Sequence, residues 1–335
     1  MASIDQCLYA GLSAVADACR VARTVQHGSG PTRRFLKGDQ SPVTVADFAA
    51  QAVVCRRLQS ALGELLLAGE ESSADLRGAE HGPMREAVVQ AVRQVWPPAT
   101  EPEVLDAIDL GSHDAGAAAY WTLDPVDGTK GFLRGGQYAV SLAFIAAGGV
   151  QLGILGCPNL SADFARPFSD PDPVGLIYYA VAGQGCWVVP ADDVKLRAER
   201  VVAASSTPNS TVRVCESVES SHSRPGDTAR VVARLGGAAS PARLDSQCKY
   251  AVVARGQADA YLRLPARAGY IERIWDHAAG SLIAQEAGAT VTDVDGKPLD
   301  FSRGQGLCEN RGIVCATPRF HGPIIEAIRA LRSSP

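Results

Sequence analysis

The stretch Trp121-Thr122-Leu123-Asp124-Pro125-Val126-Asp127-Gly128-Thr129, with the apolar runs Ala139 to Ala146 and Val150 to Leu155 behind it, decides how this chain is read. Two aspartates stand three apart around Pro125, which fixes its own backbone angle, so the segment cannot continue as regular strand and is expected to turn. Both carboxylates can then face one ion. Hard cations such as Mg²⁺ take carboxylate, backbone carbonyl and water oxygens, and the Val126 carbonyl lies between the two acids. Gly128 permits close backbone approach and, with Thr129, can present successive N–H groups to an anion; Thr129 adds a hydroxyl. Taken alone, such a run is more often an Asp-Gly turn with a capping threonine. Its company decides the matter.

Working towards the N-terminus, a short apolar run at Leu65 to Ala68 reads as a buried strand entering Gly69-Glu70-Glu71. Before it, a helix is expected from about Thr44 to Leu62, opened by a Thr-x-x-Asp box at Thr44 and Asp47. Asp47 is explained equally well as the capping partner of Thr44. An amphipathic helix with Leu8, Leu12, Val15, Cys19 and Ala22 on one face opens the chain and ends near His27-Gly28. Residues 72 to 118 hold a helix at Arg85 to Val95, then Pro97-Pro98, then a glycine- and alanine-rich loop.

Towards the C-terminus, Ala139 to Ala146 and Val150 to Leu155 form a hairpin turning at Gly148-Gly149. Loops are expected over Ser161 to Gly175 and Thr207 to Asp227, and helices over Gln247 to Ala254 and Asp276 to Ala287, the last closed by Gly288. Asp276, just after Trp275, doubles as a candidate helix N-cap. If the fold gathers Asp47, Glu70, Asp124, Asp127 and Asp276, like charges ~4 Å apart repel by several kcal/mol per pair at the effective dielectric of a partly buried site. Only bound cations make such a cluster tolerable, and two or three divalent ions there can hold and polarise a phosphate.

The whole-chain properties bound the alternatives. At 335 residues the chain fits two packed domains, or one large α/β domain carrying insertions; taken as two, they are 1–200, α+β, carrying most of the metal site, and 201–335, α/β, contributing the last acid. The formal net charge of −4 gives no basic field for a nucleic-acid polymer, so phosphate recognition must be local. The most apolar stretch, Tyr138 to Cys157, is broken by Ser141, Gly148-Gly149 and Gln151, which excludes a membrane span. Nine cysteines at irregular spacing without a CxxC pair fit a reducing, intracellular compartment better than a disulfide framework or a zinc site. The first 26 residues do not read as a signal or transit peptide, so a cytoplasmic location is the default, with chloroplast or mitochondrion open if a presequence is missing from this chain. No P-loop, HExxH or GxSxG motif occurs.

Four segments occur in a familiar order: SPVTVADFAAQ (41–51), GEES (69–72), WTLDPVDGTKGFLRGGQYAVSLA (121–143) and WDHAAG (275–280). On these the chain resembles the lithium-sensitive, metal-dependent phosphatase superfamily that includes inositol monophosphatase and fructose-1,6-bisphosphatase. LGILGCPNL (152–160), VESSHS (218–223), LDSQCKY (244–250) and DAYLRLP (259–265) are similar to its 3′(2′),5′-bisphosphate nucleotidases. The resemblance implies an α/β fold, a layered αβαβα sandwich. It implies that Glu70, Asp124, Asp127, Asp276 and the Val126 carbonyl hold two to three Mg²⁺ ions, and that Asp47 and Thr129 activate the attacking water. Gly128, Thr129, His222, Ser246, Lys249, Arg263 and Asp276 would bind the substrate, a small molecule such as 3′-phosphoadenosine 5′-phosphate, its phosphosulfate analogue coming second. An inositol polyphosphate 1-phosphatase is the nearest rival; a non-catalytic nucleotide or redox sensor belongs to another class.

Overall fold

Alternation along the strands builds the molecule in layers. In Ala139–Ala146, Val140 and Leu142 point to one face while Ala143 and Ile145 point to the other; in Ala260–Arg263, Ala260 and Leu262 oppose Tyr261. Both faces of both sheets are apolar, so each sheet must be covered twice. The computed structural model describes residues 2–28, 34–37, 42–203, 211–218, 225–237, 241–265 and 269–332.

The first sheet has seven strands in the order Leu67–Gly69, Ala119–Asp127, Ala139–Ala146, Gly149–Cys157, Leu176–Val181, Cys186–Pro190 and Glu199–Val201. Its first pair is parallel and the rest are antiparallel. The second has five, ordered Ala242–Arg243, Val214–Glu216, Ala260–Arg263, Ile313–Ala316 and Thr290–Thr292. Helices Ile4–Gln26 and Val45–Leu62 cover the outer face of the first sheet, Val15, Val54 and Leu58 packing with Leu123, Leu142 and Ile154. Helices Cys248–Ala254 and Ala278–Glu286 fill the space between the sheets, where Tyr250 and Ile283 meet Leu155 on one side and Tyr261 and Cys315 on the other. Helices Pro225–Arg234 and Pro318–Arg332 close the far side against Leu262 and Val314. The order is αβαβα, as the resemblance implies.

Four local expectations change. The strand does not stop at Asp124: it runs on to Asp127 through a bulge, the pairing with Ala139–Ala146 shifting register between Asp124 and Asp127, where Pro125 has no N–H for the ladder. The hairpin turns at Ala147-Gly148, both at positive φ (51° and 75°), one residue earlier than expected. The loop assigned before residue 118 contains a helix, Glu101–Asp109, opened by a capping box of Thr100 and Glu103 and burying Val104, Leu105 and Ile108. Within the expected loop Thr207 to Asp227, Val214–Glu216 is a strand paired with Ala260 and Tyr261. No described helix is long and apolar enough to cross a membrane.

Candidate functional site

Strand register assembles the acids. Leu67, Ala68 and Gly69 pair in parallel with Trp121, Thr122 and Leu123, and the Glu70 amide donates to the Leu123 carbonyl at 3.1 Å, so Glu70 emerges beside Asp124. Across the next ladder Asp124 pairs with Ser141, whose hydroxyl donates to the Trp275 carbonyl at 3.1 Å and fixes the residue before Asp276. The Gln247 side chain binds the same carbonyl at 2.8 Å, and its backbone amide donates to Asp127 Oδ2. The middle helices thus bring Asp276 to the end of the first sheet.

Asp47 makes the capping contact with one oxygen and turns the other towards Thr129. Its Oδ2 accepts from the Thr44 amide (2.8 Å) and hydroxyl (2.5 Å), completing the capping box, while Oδ1 accepts from the Thr129 hydroxyl at 3.3 Å. Thr129 Oγ1 also lies 3.2 Å from the Val126 carbonyl. Gly128 sits at φ 86° and starts the short helix Thr129–Leu133; a Cβ there would lie 3.0 Å from Ser246 Cβ. Across this contact Arg134 pairs with Asp245 at 2.6 Å, clamping the acidic loop to the segment that carries Ser246, Gln247 and Lys249.

These groups surround one cavity of about 740 Å³, a size suited to a small ligand. Its lining includes Glu70, Asp124, Asp127 and Asp276 together with Ser246, Lys249 and Arg263, while Asp47 stands behind Thr129. Lys249 is buried; its ammonium donates to the Ser246 carbonyl at 2.6 Å and lies 5.1 Å from the centre of the Tyr261 ring. Burial lowers its pKa, partly opposed by Asp127 and Asp245. Of the substrate-binding residues implied by the resemblance, His222 lies outside the described residues.

The electrostatics of the cluster are those of buried carboxylates that a cation would stabilise. Burial raises the Asp124 carboxyl well above its usual range, and Glu70, Asp127, Asp276 and Asp47 push it further. Asp276 is raised in the same way against the pull of Arg263. Asp127 is raised by burial, although Lys249, the Gln247 amide and Arg263 oppose it, and Asp47 is pushed up to about 7, against hydrogen bonds from Thr44. Oxygen donors alone, several of them carboxylates destabilised by one another, fit a hard divalent ion. Glu272, Asp276 and His277 also bring one ligand atom each within 4.8 Å of one another, but Arg263 already neutralises Glu272 at 2.7 Å, so this trio is an ion-pair network.

Sequence reasoning missed Lys37, whose ammonium contacts Glu70 (2.9 Å) and the buried Glu71 (2.6 Å). Glu71 stands inside the quoted GEES segment and was legible; Lys37 carried no signal. Glu272, four residues before Asp276, was missed too.

Every part of this arrangement, from the capping box to the aspartate in the middle layer, lies within residues 3–333, which match the model of the inositol monophosphatase family. The chain belongs to the inositol monophosphatase family. Among curated relatives it is 41% identical over 310 residues to the 3′(2′),5′-bisphosphate nucleotidase of Schizosaccharomyces pombe, covering 89% of this chain and 87% of that one. It is 38% identical over 341 residues to 3′,5′-bisphosphate nucleotidase 2 of Arabidopsis thaliana, covering 98% and 97%. In fold it matches the inositol monophosphatases of Anabaena, at 18% identity, TM-score 0.62 and 99% and 97% coverage, and of Thermotoga maritima, at 16%, 0.62 and 96% of each chain. Mg²⁺ dependence and lithium sensitivity are general in the inositol monophosphatase family.

Proposed function

We propose that this chain is a 3′(2′),5′-bisphosphate nucleotidase that hydrolyses 3′-phosphoadenosine 5′-phosphate to AMP and phosphate, with the phosphosulfate analogue as a second substrate. The observation that carries this reading is a single cavity with an acidic group, Glu70, Asp124, Asp127 and Asp276, and a second group of hydroxyl and cationic side chains, Ser246, Lys249 and Arg263, in its wall. A monophosphate would leave the second group without a task.

Glu70, Asp124, Asp127, Asp276 and the Val126 carbonyl would hold two to three Mg²⁺ ions. When bound, Mg²⁺ supplies Lewis-acid polarisation of phosphoryl oxygens and acidifies water. The chain does the rest. The Thr129 hydroxyl donates to Asp47 Oδ1, leaving its lone pairs to accept a proton from the attacking water, so the proton moves through Oγ1 to Oδ1. Thr44 holds the other carboxylate oxygen and fixes the direction of Oδ1. The Gly128 and Thr129 amides orient the phosphoryl oxygens, and Lys249 with Arg263 receives the phosphate that is not cleaved.

Phosphate release from 3′-phosphoadenosine 5′-phosphate, inositol 1,4-bisphosphate and fructose 1,6-bisphosphate, each measured with saturating Mg²⁺, tests this. The highest kcat/KM is expected for the nucleotide; preference for either sugar or cyclitol substrate refutes it.

A further inference from the structure

Behind the two nucleotide cations lies a buried network that the chemistry above does not use. Glu272 Oε1 accepts from Arg263 Nε at 2.9 Å and its Oε2 lies 2.7 Å from Nη2, a fork-to-fork pair. The same Oε2 is 3.2 Å from His277 Nε2, and His277 Nδ1 is 3.0 Å from the Tyr250 hydroxyl. Tyr250 meets the Tyr261 ring edge-on at 5.0 Å, and Lys249 lies over that ring. Arg263 is 9% exposed, Glu272 5%, and His277 and Tyr250 fully buried. Both cations therefore stand on one scaffold, and Glu272 itself is absent from the cavity wall.

Arg263 has a competing partner. Its Nη2 lies 3.9 Å from Asp276 Oδ2, one of the proposed ion ligands. A guanidinium that swung fully onto Asp276 would take a carboxylate from the acidic group and leave the nucleotide end of the cavity. Two bonds to Glu272 prevent this, and Nη2 also reaches the Tyr270 hydroxyl at 3.5 Å. The guanidinium donates through Nε and Nη2 to Glu272 and Tyr270, and it also shares a side-chain hydrogen bond with Tyr261.

We infer that Glu272 is a positioning residue for substrate selection: it locks Arg263 away from Asp276, so that the guanidinium stays at the nucleotide end of the cavity for the phosphate that is not cleaved. This rests on the nucleotidase reading and adds to it what makes the second phosphate count. Because the Glu272 and Arg263 charges cancel, selection comes from the direction of the N–H groups and not from an excess of positive charge.

The test compares 3′-phosphoadenosine 5′-phosphate with adenosine 3′-monophosphate, which lacks the second phosphate, in the unmodified chain and in Glu272→Gln, with thermal midpoints as the check on folding. The expected result is a KM for the bisphosphate raised about tenfold or more with kcat changed less than about threefold, and a KM for the monophosphate left alone. Glu272→Asp, which keeps the charge, should recover part of the loss and carries the comparison if the glutamine variant does not fold. In an Arg263→Gln background, Glu272→Gln should add nothing. Equal losses on both substrates, an unchanged KM for the bisphosphate, or additive losses in the double variant would each overturn the assignment. No phosphate release from the bisphosphate by the unmodified chain would defeat the nucleotidase reading itself, and this proposal with it.

Discussion

At the scale of single residues, Thr129 is where the proposed proton path is narrowest. Its hydroxyl is the atom between Asp47 and the open cavity, and Asp47 is buried behind it. Thr129→Val keeps the shape and removes the hydroxyl; it should lower kcat by about 10²–10⁴, the usual worth of positioned acid–base catalysis, with KM little changed. Thr129→Ser should retain most of the activity. Equal kcat for the valine variant and the parent would rule out the relay. The acids were legible in the sequence because their chemistry is written locally: Asp124, Val126, Asp127 and Thr129 fall within six residues and need no fold to suggest a shared ion. Lys37 and Glu272 were not legible, because a lone lysine or glutamate says nothing until its partner is known, and those partners stand 33 residues away at Glu70 and 9 away at Arg263.

At the scale of elements, the position of Asp276 depends on how closely helix Ala278–Glu286 approaches strand Gly149–Cys157. Gly153 allows that approach: a Cβ there would lie 2.8 Å from the Ala279 carbonyl oxygen, which is backbone and cannot turn aside. Gly153→Ala should therefore push the helix off the sheet, costing about 1–3 kcal/mol of stability and lowering activity through Asp276. A denaturant midpoint equal to that of the parent would show that the layers are not held this tightly. Long elements were readable, Ile4–Gln26 from its periodicity and Val45–Leu62 from Ser41-Pro42 and the Thr44-x-x-Asp47 box at its start. Val214–Glu216 was not, since three residues carry no period and the strand exists through its pairing with Ala260 and Tyr261. Helix Glu101–Asp109 is a different case: Thr100-x-x-Glu103 with Pro102 announced its start, but the glycines and alanines that follow drew the segment into a loop.

At the scale of the whole molecule, the site is a junction between layers. Asp47 comes from the outer helices, Glu70, Asp124 and Asp127 from the end of the first sheet, and Asp276 from the entry to the middle helices. Only the folded chain brings the five together, so an ion that binds them binds the native state and not the unfolded one. Such binding stabilises by RT ln(1 + [L]/Kd), about 2.7 kcal/mol when Mg²⁺ is at a hundred times its Kd, and it also offsets the burial and, after it, the mutual repulsion that raise Asp124 and Asp276. Millimolar Mg²⁺ is therefore expected to raise the thermal midpoint by several degrees over the same protein in EDTA. Two effects oppose each other in Asp276→Asn. Removing a raised carboxylate eases repulsion, so the variant in EDTA should unfold at or above the parent's midpoint, while the upward shift with Mg²⁺ should largely disappear. Differential scanning calorimetry of both proteins in both buffers separates these effects, and a parent midpoint that does not respond to Mg²⁺ would mean that the acids, although gathered, are not an ion site.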